Sequence, residues 1–248
     1  RLPPQEGLDV AQLGTIYHEI LEYLYRSLSA EARRDVAALL DALPGIAKRV
    51  LDAAPRQQGF RETAWWQETR REIVRVVERT VRALAQLPGD YEPVAFEARF
   101  TRRRPLRIRD GDDQFYLRGV VDRIDRDPAG RLRVIDYKTA GPWSYSARSL
   151  EEGKRLQLPL YALAARDALR LGQPADGFYW HIRQAESSGL RLADYGLEAA
   201  LTLATDFAWA AVRGARAGEF RPTPPDGGCP EYCPAATFCW QYQPGRWG

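Results

Sequence analysis

The amino-acid sequence predicts a mixed α/β domain with an N-terminal helical elaboration and a C-terminal loop rich in cysteine, proline and glycine. Three observations lead to this fold class. Up to about residue 90, apolar residues recur at three- and four-residue steps, the spacing of amphipathic helices. From residue 94, apolar and polar residues alternate, which is the spacing of β-strands. Helical spacing then returns on both sides of a short apolar segment, so helices should flank a central sheet.

Three helices are predicted in the N-terminal region, residues 1–90. The first covers residues 8–28, where the apolar side chains fall on one face. Two more follow at about 30–53 and 62–86. The third ends before Leu87-Pro88-Gly89-Asp90, because proline and glycine terminate helices.

The predicted core, residues 91–220, combines strands and helices. Strands are predicted at 94–100, 115–125, 132–137 and 178–182, and helices at 156–170 and 193–217. The turn sequence Asp127-Pro128-Ala129-Gly130 joins the second and third strands, which favours a hairpin. The Cys-rich loop, residues 221–248, follows and contains all three cysteines. We expect the three regions to form one compact unit.

Composition excludes several classes of protein. With 45% hydrophobic and 28% charged residues among 248, the chain is neither disordered nor fibrous. It has no run of about 18 uncharged apolar residues and no secretory signal, so we expect a cytoplasmic protein without a membrane span. The sequence starts at Arg1 and contains no methionine, so we expect it to be a piece of a longer protein.

A basic segment lies at residues 101–110. Its arginines are Arg102, Arg103, Arg104, Arg107 and Arg109. Such clusters suit phosphate backbones, although a net charge of +3 is too small to indicate a polyanionic partner by itself. The sequence has 33 Arg and 3 Lys, so a solvated arginine-rich surface is the equal alternative.

The strongest indication of function is a set of charged residues on the predicted hairpin. Asp122 lies on its first strand, and Asp136 and Lys138 lie on its second strand among apolar residues. Residues i and i+2 of a strand share a face, so Asp136 and Lys138 point the same way, and strand pairing can bring Asp122 alongside. Two carboxylates and a lysine suit Mg²⁺ or Mn²⁺, which polarises a phosphoryl oxygen and activates a bound water. Lys138 would hold that water or stabilise the transition state. The alternative is a surface salt bridge.

Three further residues are candidates for the same site. Glu97 supplies a third carboxylate from the strand at 94–100. Gln157 and Tyr161 are spaced i, i+4 and share one helix face, where they could orient a phosphate, a base or the lysine. The alternative for Gln157 is an ordinary helix start, since Pro159 suits a first helical turn.

The two histidines, His18 and His181, lead to different predictions. His18 lies beside the apolar face of the first predicted helix and is a candidate metal ligand. A lone histidine on a helix is more often structural, so composition alone favours that alternative. His181 lies in a short apolar strand without a partner motif and is predicted to be structural.

The order of these residues resembles that of a known nuclease family. The series is Gly14-x-x-x-His18, Glu97, Gly119-x-x-Asp122-Arg123-x-Asp125, Asp136-Tyr137-Lys138-Thr139 and Gln157-x-x-x-Tyr161. It resembles the PD-(D/E)xK nucleases of the RecB/AddB type, which includes CRISPR-adaptation nucleases, over roughly residues 8–240. Each motif is weak, but the ordered set is specific. The resemblance implies a restriction-endonuclease-like fold, a mixed central sheet flanked by helices.

The resemblance also implies roles for the residues. The metal ligands would be His18, Asp122 and Asp136, together with the backbone carbonyl that follows the second aspartate. Lys138 would be the catalytic lysine. Gln157 and Tyr161 would support the site or the DNA, and Glu97 would lie near the metal. Val121 stands where the superfamily name has proline, which is usual in this branch.

The three cysteines form the pattern Cys229-x3-Cys233-x5-Cys239. In a chain without other cysteines or a secretory signal, this clustering favours a metal over disulfides. Zinc would need a fourth ligand, and His18 and His181 are the only imidazoles. The resembled nucleases with iron–sulfur clusters carry a similar triplet, usually C-x2-C-x5-C, and a fourth cysteine before the first helix. The resemblance implies a [4Fe–4S] cluster whose fourth cysteine would precede Arg1.

The leading hypothesis is a divalent-metal-dependent DNA nuclease, an exonuclease rather than an endonuclease, that acts on single-stranded ends. It would be the nuclease domain of a recombinational-repair helicase–nuclease, with a helicase motor fused upstream or in a complex. One alternative is a stand-alone CRISPR-adaptation-type nuclease. The other is a catalytically inactive DNA-binding module of a helicase complex, which is less favoured because Asp122, Asp136 and Lys138 are all present.

Overall fold

The computed structural model describes residues 5–141, 145–224, 228–229 and 233–245. The chain forms two compact units, Arg1–Phe207 and Ala208–Gly248. The first unit holds the sheets and all the helices except the end of the last one, and the second holds the three cysteines.

The N-terminal region is helical, as predicted. Its elements are β1 (Gln5–Glu6), α1 (Val10–Arg26), a 3₁₀ turn (Ala32–Arg34), α2 (Val36–Gln58), β2 (Phe60–Arg61) and α3 (Trp66–Leu84). Helix α1 begins with a capping box, because Asp9 accepts a hydrogen bond from the Gln12 backbone and the Gln12 side chain accepts one from the Asp9 backbone. Helix α2 begins later than predicted, because Asp35 caps its first turn through the backbone N–H of Ala37.

The core region contains most of the strands. Its elements are β3 (Glu92–Phe100), β4 (Leu106–Asp110), β5 (Asp113–Leu117), β6 (Gly119–Arg126), β7 (Arg131–Lys138), α4 (Ala147–Glu151), α5 (Gln157–Leu163), a π-helical segment (Ala164–Ala168), β8 (Gln173–His181), β9 (Glu186–Arg191), α6 (Leu192–Tyr195) and α7 (Leu197–Arg216). The predicted hairpin with a turn at 127–130 is confirmed as β6 and β7.

The central sheet has five strands in the order β3-β6-β7-β8-β9. Strands β7 and β8 are parallel, and the other neighbours are antiparallel, so the sheet is mixed. Ile16 and Ile20 of α1 belong to the same buried cluster as Ile135 and Phe178 of the sheet. This packing places the first helix over the strands that carry the two aspartates.

Three parts of the core differ from the prediction. The strand predicted at 115–125 is two strands, β5 and β6, which separate at Arg118. Strand β5 pairs with β4, which was not predicted, through a two-residue loop in which Gly111 has a φ of 57°. Strand β9 and helix α4 were also not predicted. Because these elements are short, their periodicity is weak compared with that of α1 or β7.

The hairpin of β6 and β7 contains a buried ion-pair network. Asp125 is fully buried and accepts hydrogen bonds from Arg123 through both of its oxygens, and from Arg133 at 3.0 Å. The Arg123 guanidinium also lies 4.5 Å from the centre of the Tyr25 ring of α1. The network therefore ties the hairpin to the first helix.

The described residues of the second unit include a bridge between Cys229 and Pro244. All three cysteine side chains are free thiols, and Cys229 is buried. Within the described parts of the chain, no helix is long and apolar enough to cross a membrane.

Candidate active site

Asp122 lies where strand β6 separates from β7. The two strands pair from Arg123 opposite Ile135 to Arg126 opposite Leu132, which leaves Asp122 just beyond the ladder. Its Oδ2 accepts a hydrogen bond of 2.7 Å from the backbone N–H of Tyr137 and so replaces a strand-to-strand bond. Burial and the negative charge of Asp136 raise the pKa of Asp122 to about 7.

Asp136 is buried beside Lys138 at the end of β7. Its side chain is 1% exposed and forms an ion pair with the Lys138 ammonium through Oδ2. Its Oδ1 is buried without a hydrogen bond from any described residue. Burial raises the pKa of Asp136, and the charge of Lys138 offsets part of this rise. A buried carboxylate oxygen without a donor is the kind of ligand atom that a cation would satisfy.

Lys138 is held from two further sides. Its Nζ donates a hydrogen bond of 2.9 Å to Oε1 of Gln157 at the start of α5. The same Nζ lies 5.4 Å from the centre of the Tyr179 ring, since β8 runs parallel to β7 and places Tyr179 opposite Asp136. Gln157 in turn donates from Nε2 to the Tyr161 hydroxyl at 2.8 Å. Burial raises the pKa of Tyr161 to about 12, so its phenol stays neutral.

Glu97 and His18 close the site from β3 and α1. The Nδ1 of His18 lies 3.6 Å from Oε1 of Glu97 and 3.6 Å from Oδ1 of Asp122. Burial lowers the pKa of His18, but the nearby negative charges of Glu97 and Asp122 outweigh this effect, so the pKa is raised. Glu97 has a φ of 45°, a left-handed conformation that is strained for a residue other than glycine.

The structure therefore brings the predicted site residues together, with one difference in how they group. The ligand atoms of His18, Glu97 and Asp122 all lie within 4.8 Å of one another. The resemblance implies Asp136 as the third metal ligand beside His18 and Asp122, with Glu97 near the metal. The Asp136 carboxylate lies next to this group on the Lys138 side, close enough for its charge to raise the pKa of Asp122.

The cluster borders a groove of about 750 Å³ beside α1. The residues that line it include Gly14, Thr15, His18, Glu97 and Thr139. A Cβ on Gly14 would lie 3.6 Å from Oγ1 of Thr139, so the glycine leaves room between the helix and the end of β7. The groove gives a substrate access to the side of the cluster formed by His18 and Glu97.

The residues present fit a divalent cation such as Mg²⁺ or Mn²⁺. Three carboxylates face one lysine and one histidine, so the cluster carries an excess of negative charge. Oxygen donors in this number, with an unsatisfied buried oxygen on Asp136, suit hard cations.

A sequence profile of the PD-(D/E)XK nuclease superfamily matches residues 1–240. The chain belongs to the PD-(D/E)XK nuclease superfamily. Its mixed sheet flanked by helices is the restriction-endonuclease-like fold that the resemblance implied.

Two curated relatives of this PD-(D/E)XK nuclease are named as subunits of an ATP-dependent helicase/deoxyribonuclease. The protein from Moorella thermoacetica is 29% identical over 200 residues, which cover 71% of this chain and 17% of the relative. The protein from Lysinibacillus sphaericus is 25% identical over 202 residues, which cover 74% of this chain and 16% of the relative. The chain thus spans about a sixth of the length of these relatives.

Two groups in the nuclease site were not singled out from the sequence. Tyr179 contacts Lys138 through its ring, and its hydroxyl accepts a hydrogen bond from the Leu158 backbone. The backbone N–H of Tyr137 holds Asp122. Knowing that the strand at 178–182 pairs in parallel with β7 would have indicated Tyr179 as a neighbour of Lys138. The sequence alone does not give the order of strands in the sheet.

The remaining predicted residues lie outside this cluster. His181 is buried, and its Nδ1 lies 2.7 Å from the Ala140 carbonyl oxygen, which is a structural contact. The sequence contains three cysteines, one fewer than a four-cysteine cluster requires. Among the described residues, the three sulfurs do not form a group of potential metal ligands within 4.8 Å of one another. The described arrangement therefore gives no support to the expected [4Fe–4S] cluster, whose fourth cysteine would precede Arg1.

Proposed function

We propose that the chain is a divalent-metal-dependent nuclease domain that hydrolyses phosphodiester bonds in DNA. The observation that carries this proposal is the juxtaposition of Asp136 and Lys138 with His18, Glu97 and Asp122 beside an open groove. Superfamily membership and the deoxyribonuclease subunits among its relatives support the same activity.

His18, Asp122 and Asp136 would hold the cation, and Glu97, which lies as close to Nδ1 of His18 as Asp122 does, would contribute beside them. When bound, the cation polarises a phosphoryl oxygen and lowers the pKa of a bound water. Burial raises the pKa values of Asp122 and Asp136, and neighbouring carboxylates raise them further, so the cluster lacks compensating positive charge. A cation supplies that charge, so these residues bind it better as pH rises.

Lys138 acts on the reacting phosphate. Its ammonium is held by Asp136 on one side and by Gln157 on the other, so its position is fixed before substrate binds. From there it stabilises the negative charge that develops on the phosphoryl oxygens, or orients the attacking water. Gln157 and Tyr161 act as positioning residues, because Tyr161 fixes Gln157 and Gln157 fixes Lys138.

The substrate class is single-stranded DNA ends, cut as an exonuclease. The relatives are named as subunits of helicase/deoxyribonucleases, which supports a role as the nuclease domain of a helicase–nuclease whose motor separates the strands. Such a motor would deliver single strands rather than duplex to the groove.

A cleavage assay with end-labelled linear DNA and internally labelled circular DNA tests the proposal. The parent chain is expected to cut linear single strands in Mg²⁺ or Mn²⁺ and to lose activity in EDTA. Lys138→Ala and Asp136→Ala should lower the rate by about 10²–10³-fold or more. Lys154→Ala is a matched control, because Lys154 is exposed and pairs with Glu152.

The possible outcomes separate the alternatives. Cleavage of circular single strands would show endonuclease action. DNA binding without metal-dependent cleavage would overturn the proposal in favour of an inactive binding module. If the Lys138→Ala variant cuts DNA as fast as the parent chain, Lys138 is not the catalytic lysine.

A further inference from the structure

The hairpin of β4 and β5 has one apolar face and one charged face. Leu106, Ile108 and Phe115 are buried on the inner face. This face packs toward the π-helical segment that continues α5, the helix of Gln157 and Tyr161. The fold therefore fixes the position of the hairpin relative to the active site. The outer face is exposed, with Arg107 directly opposite Tyr116.

The outer face combines exposed positive charge with an exposed aromatic ring. Tyr116 is 51% exposed, and the Arg107 guanidinium lies 5.6 Å from the centre of its ring. The exposed arginines on and beside the hairpin include Arg99, Arg102, Arg103, Arg107 and Arg118. In the described part of the chain, none of the five forms an ion pair with an acidic side chain.

Helix α3 provides the contrast. Of its four exposed arginines, Arg71, Arg75 and Arg82 pair with glutamates of the same helix, and Arg79 donates a hydrogen bond to the Arg183 backbone carbonyl. Most of the arginine charge on α3 is therefore balanced locally. On the hairpin the charge is left available to an external anion.

Two adjoining cavities lead from the hairpin toward the active site. Each has a volume of about 600 Å³, and both are lined by Arg102 and Arg118. The first also borders Tyr116, and the second borders Phe100 and Gly119.

The second cavity meets the active site at Tyr161. The Phe100 ring packs edge-on against Tyr161, with ring centres 6.0 Å apart. A Cβ on Gly119 would lie 2.7 Å from the Phe100 ring and 3.4 Å from that of Tyr161, so the glycine permits this close packing. From Tyr161 the hydrogen bonds continue through Gln157 to Lys138. A continuous series of side-chain contacts thus joins the hairpin to the lysine.

We propose that the outer face of this hairpin is a binding track for single-stranded DNA that feeds the strand past Tyr161 into the active site. Arg102, Arg107 and Arg118 bind backbone phosphates, and Tyr116 stacks on a base. Single strands are favoured over duplex because stacking on an exposed ring requires an unstacked base. This inference rests on the proposed DNA nuclease function and adds to it the surface that selects the strand.

Fluorescence anisotropy in EDTA measures the role of Tyr116 without cleavage. The probe is a labelled oligothymidine of about 20 nucleotides. Tyr116→Ala should raise the Kd about 5- to 100-fold, since the ring contributes stacking, whereas Tyr116→Phe should bind within about twofold of the parent chain. Both changes lie on the exposed face, so thermal melting should show that the fold is retained.

Salt titration of the same probe measures the phosphate contacts. The double variant Arg107→Gln/Arg118→Gln should raise the Kd about tenfold. It should also reduce the slope of log Kd against log salt concentration by about 1.4, because two phosphate contacts are lost and each contributes about 0.7. The matched control is Arg126→Gln with Arg170→Gln. Both residues are exposed, and they lie near the start of β7 and β8, at the opposite end of the sheet from Lys138. This pair should bind as the parent chain does.

The results separate this inference from the proposed function. It is overturned if Tyr116→Ala and the Arg107/Arg118 pair bind like the parent chain, or if the Arg126/Arg170 control loses as much affinity. It is also overturned if a duplex of the same length binds at least as tightly as the single strand. Failure of the parent chain to cleave DNA in Mn²⁺ would instead overturn the proposed function and leave the binding results standing.

Discussion

Two groups of buried carboxylates on the same β6–β7 hairpin differ in how their charge is balanced. Asp125 is surrounded by Arg123 and Arg133, and both of its oxygens accept hydrogen bonds. Asp122 and Asp136 lie at the other end of the hairpin, where Lys138 pairs with one oxygen of Asp136 and the other oxygen has no donor among the described residues.

The difference shows in the ionisation of the two groups. At the Asp125 end, burial lowers the pKa of Arg123, but the charge of Asp125 more than compensates and the pKa is raised. At the other end, burial raises the pKa values of Asp122 and Asp136, and the negative charge of Asp136 raises that of Asp122 further. The Asp125 network is complete within the chain and stabilises the fold. The Asp122–Asp136 cluster is incomplete, which is expected of a site that binds a cation.

The largest expected effect is on the balanced network. Asp125→Asn should lower the free energy of unfolding by about 3–5 kcal/mol, because it leaves two buried guanidinium groups without their anion. Asp136→Asn should not lower it, because it removes an excess charge. Urea denaturation of both variants in EDTA measures the contrast. Equal losses, or a loss below about 1 kcal/mol for Asp125→Asn, would contradict the distinction.

The pH dependence of stability should reveal the unbalanced cluster. In EDTA, the folded chain keeps a proton on Asp122 up to about pH 7, whereas the unfolded chain loses it near the ordinary value of 3.8. Rising pH over this interval therefore favours the unfolded chain, and the free energy of unfolding should fall by about 1–4 kcal/mol. The raised pKa of His18 acts in the same direction. Asp122→Asn should flatten the profile, and an unchanged profile would argue against the raised pKa.

The next effect concerns the positioning of Lys138. Gln157→Leu removes the acceptor at 2.9 Å from Nζ and should lower the rate of cleavage about 10- to 100-fold with little change in stability. Gln157→Glu keeps an acceptor and should recover part of the rate. Single-turnover cleavage at saturating DNA measures both. Full activity of Gln157→Leu would show that Asp136 alone positions the lysine.

The smallest effect concerns the groove beside α1. Gly14→Ala should stabilise the helix by about 0.5–1 kcal/mol, since the added Cβ makes only ordinary contacts with Thr139. The same methyl narrows the groove, so the KM for DNA should rise. Gly45→Ala in α2 is the matched control, because a Cβ there meets nothing within 4 Å and only the stabilisation is expected. A similar KM for the two variants would place the substrate elsewhere.

The sequence predicted the long periodic elements and the residues of the site, but not how they group. Helix α1 and strand β7 are long enough for apolar spacing to define them. The strand break at Arg118 and the β4–β5 hairpin were missed because each strand has five residues, although the alternation of Leu106 to Arg109 and the glycine at 111 were present as signals.

The sequence also did not predict that Glu97 lies close to His18, and the reason here is different. It depends on a left-handed residue within β3 and on the point where β6 and β7 separate. The alternation of apolar and polar residues predicts which face of the strand carries Glu97. It does not predict the local backbone conformation that brings the Glu97 carboxylate to His18.

Direct titration of the chain with Mn²⁺ tests most directly the claim that the unbalanced cluster is a cation site. Calorimetry at pH 7.5 should show one principal binding event for the parent chain, and the same event for Asp167→Asn, an exposed carboxylate paired with Arg166. Asp122→Asn and Asp136→Asn should weaken that binding at least about tenfold, the loss expected when one ligand or its support is removed. Binding of Mn²⁺ to both variants with the affinity of the parent chain would contradict the account.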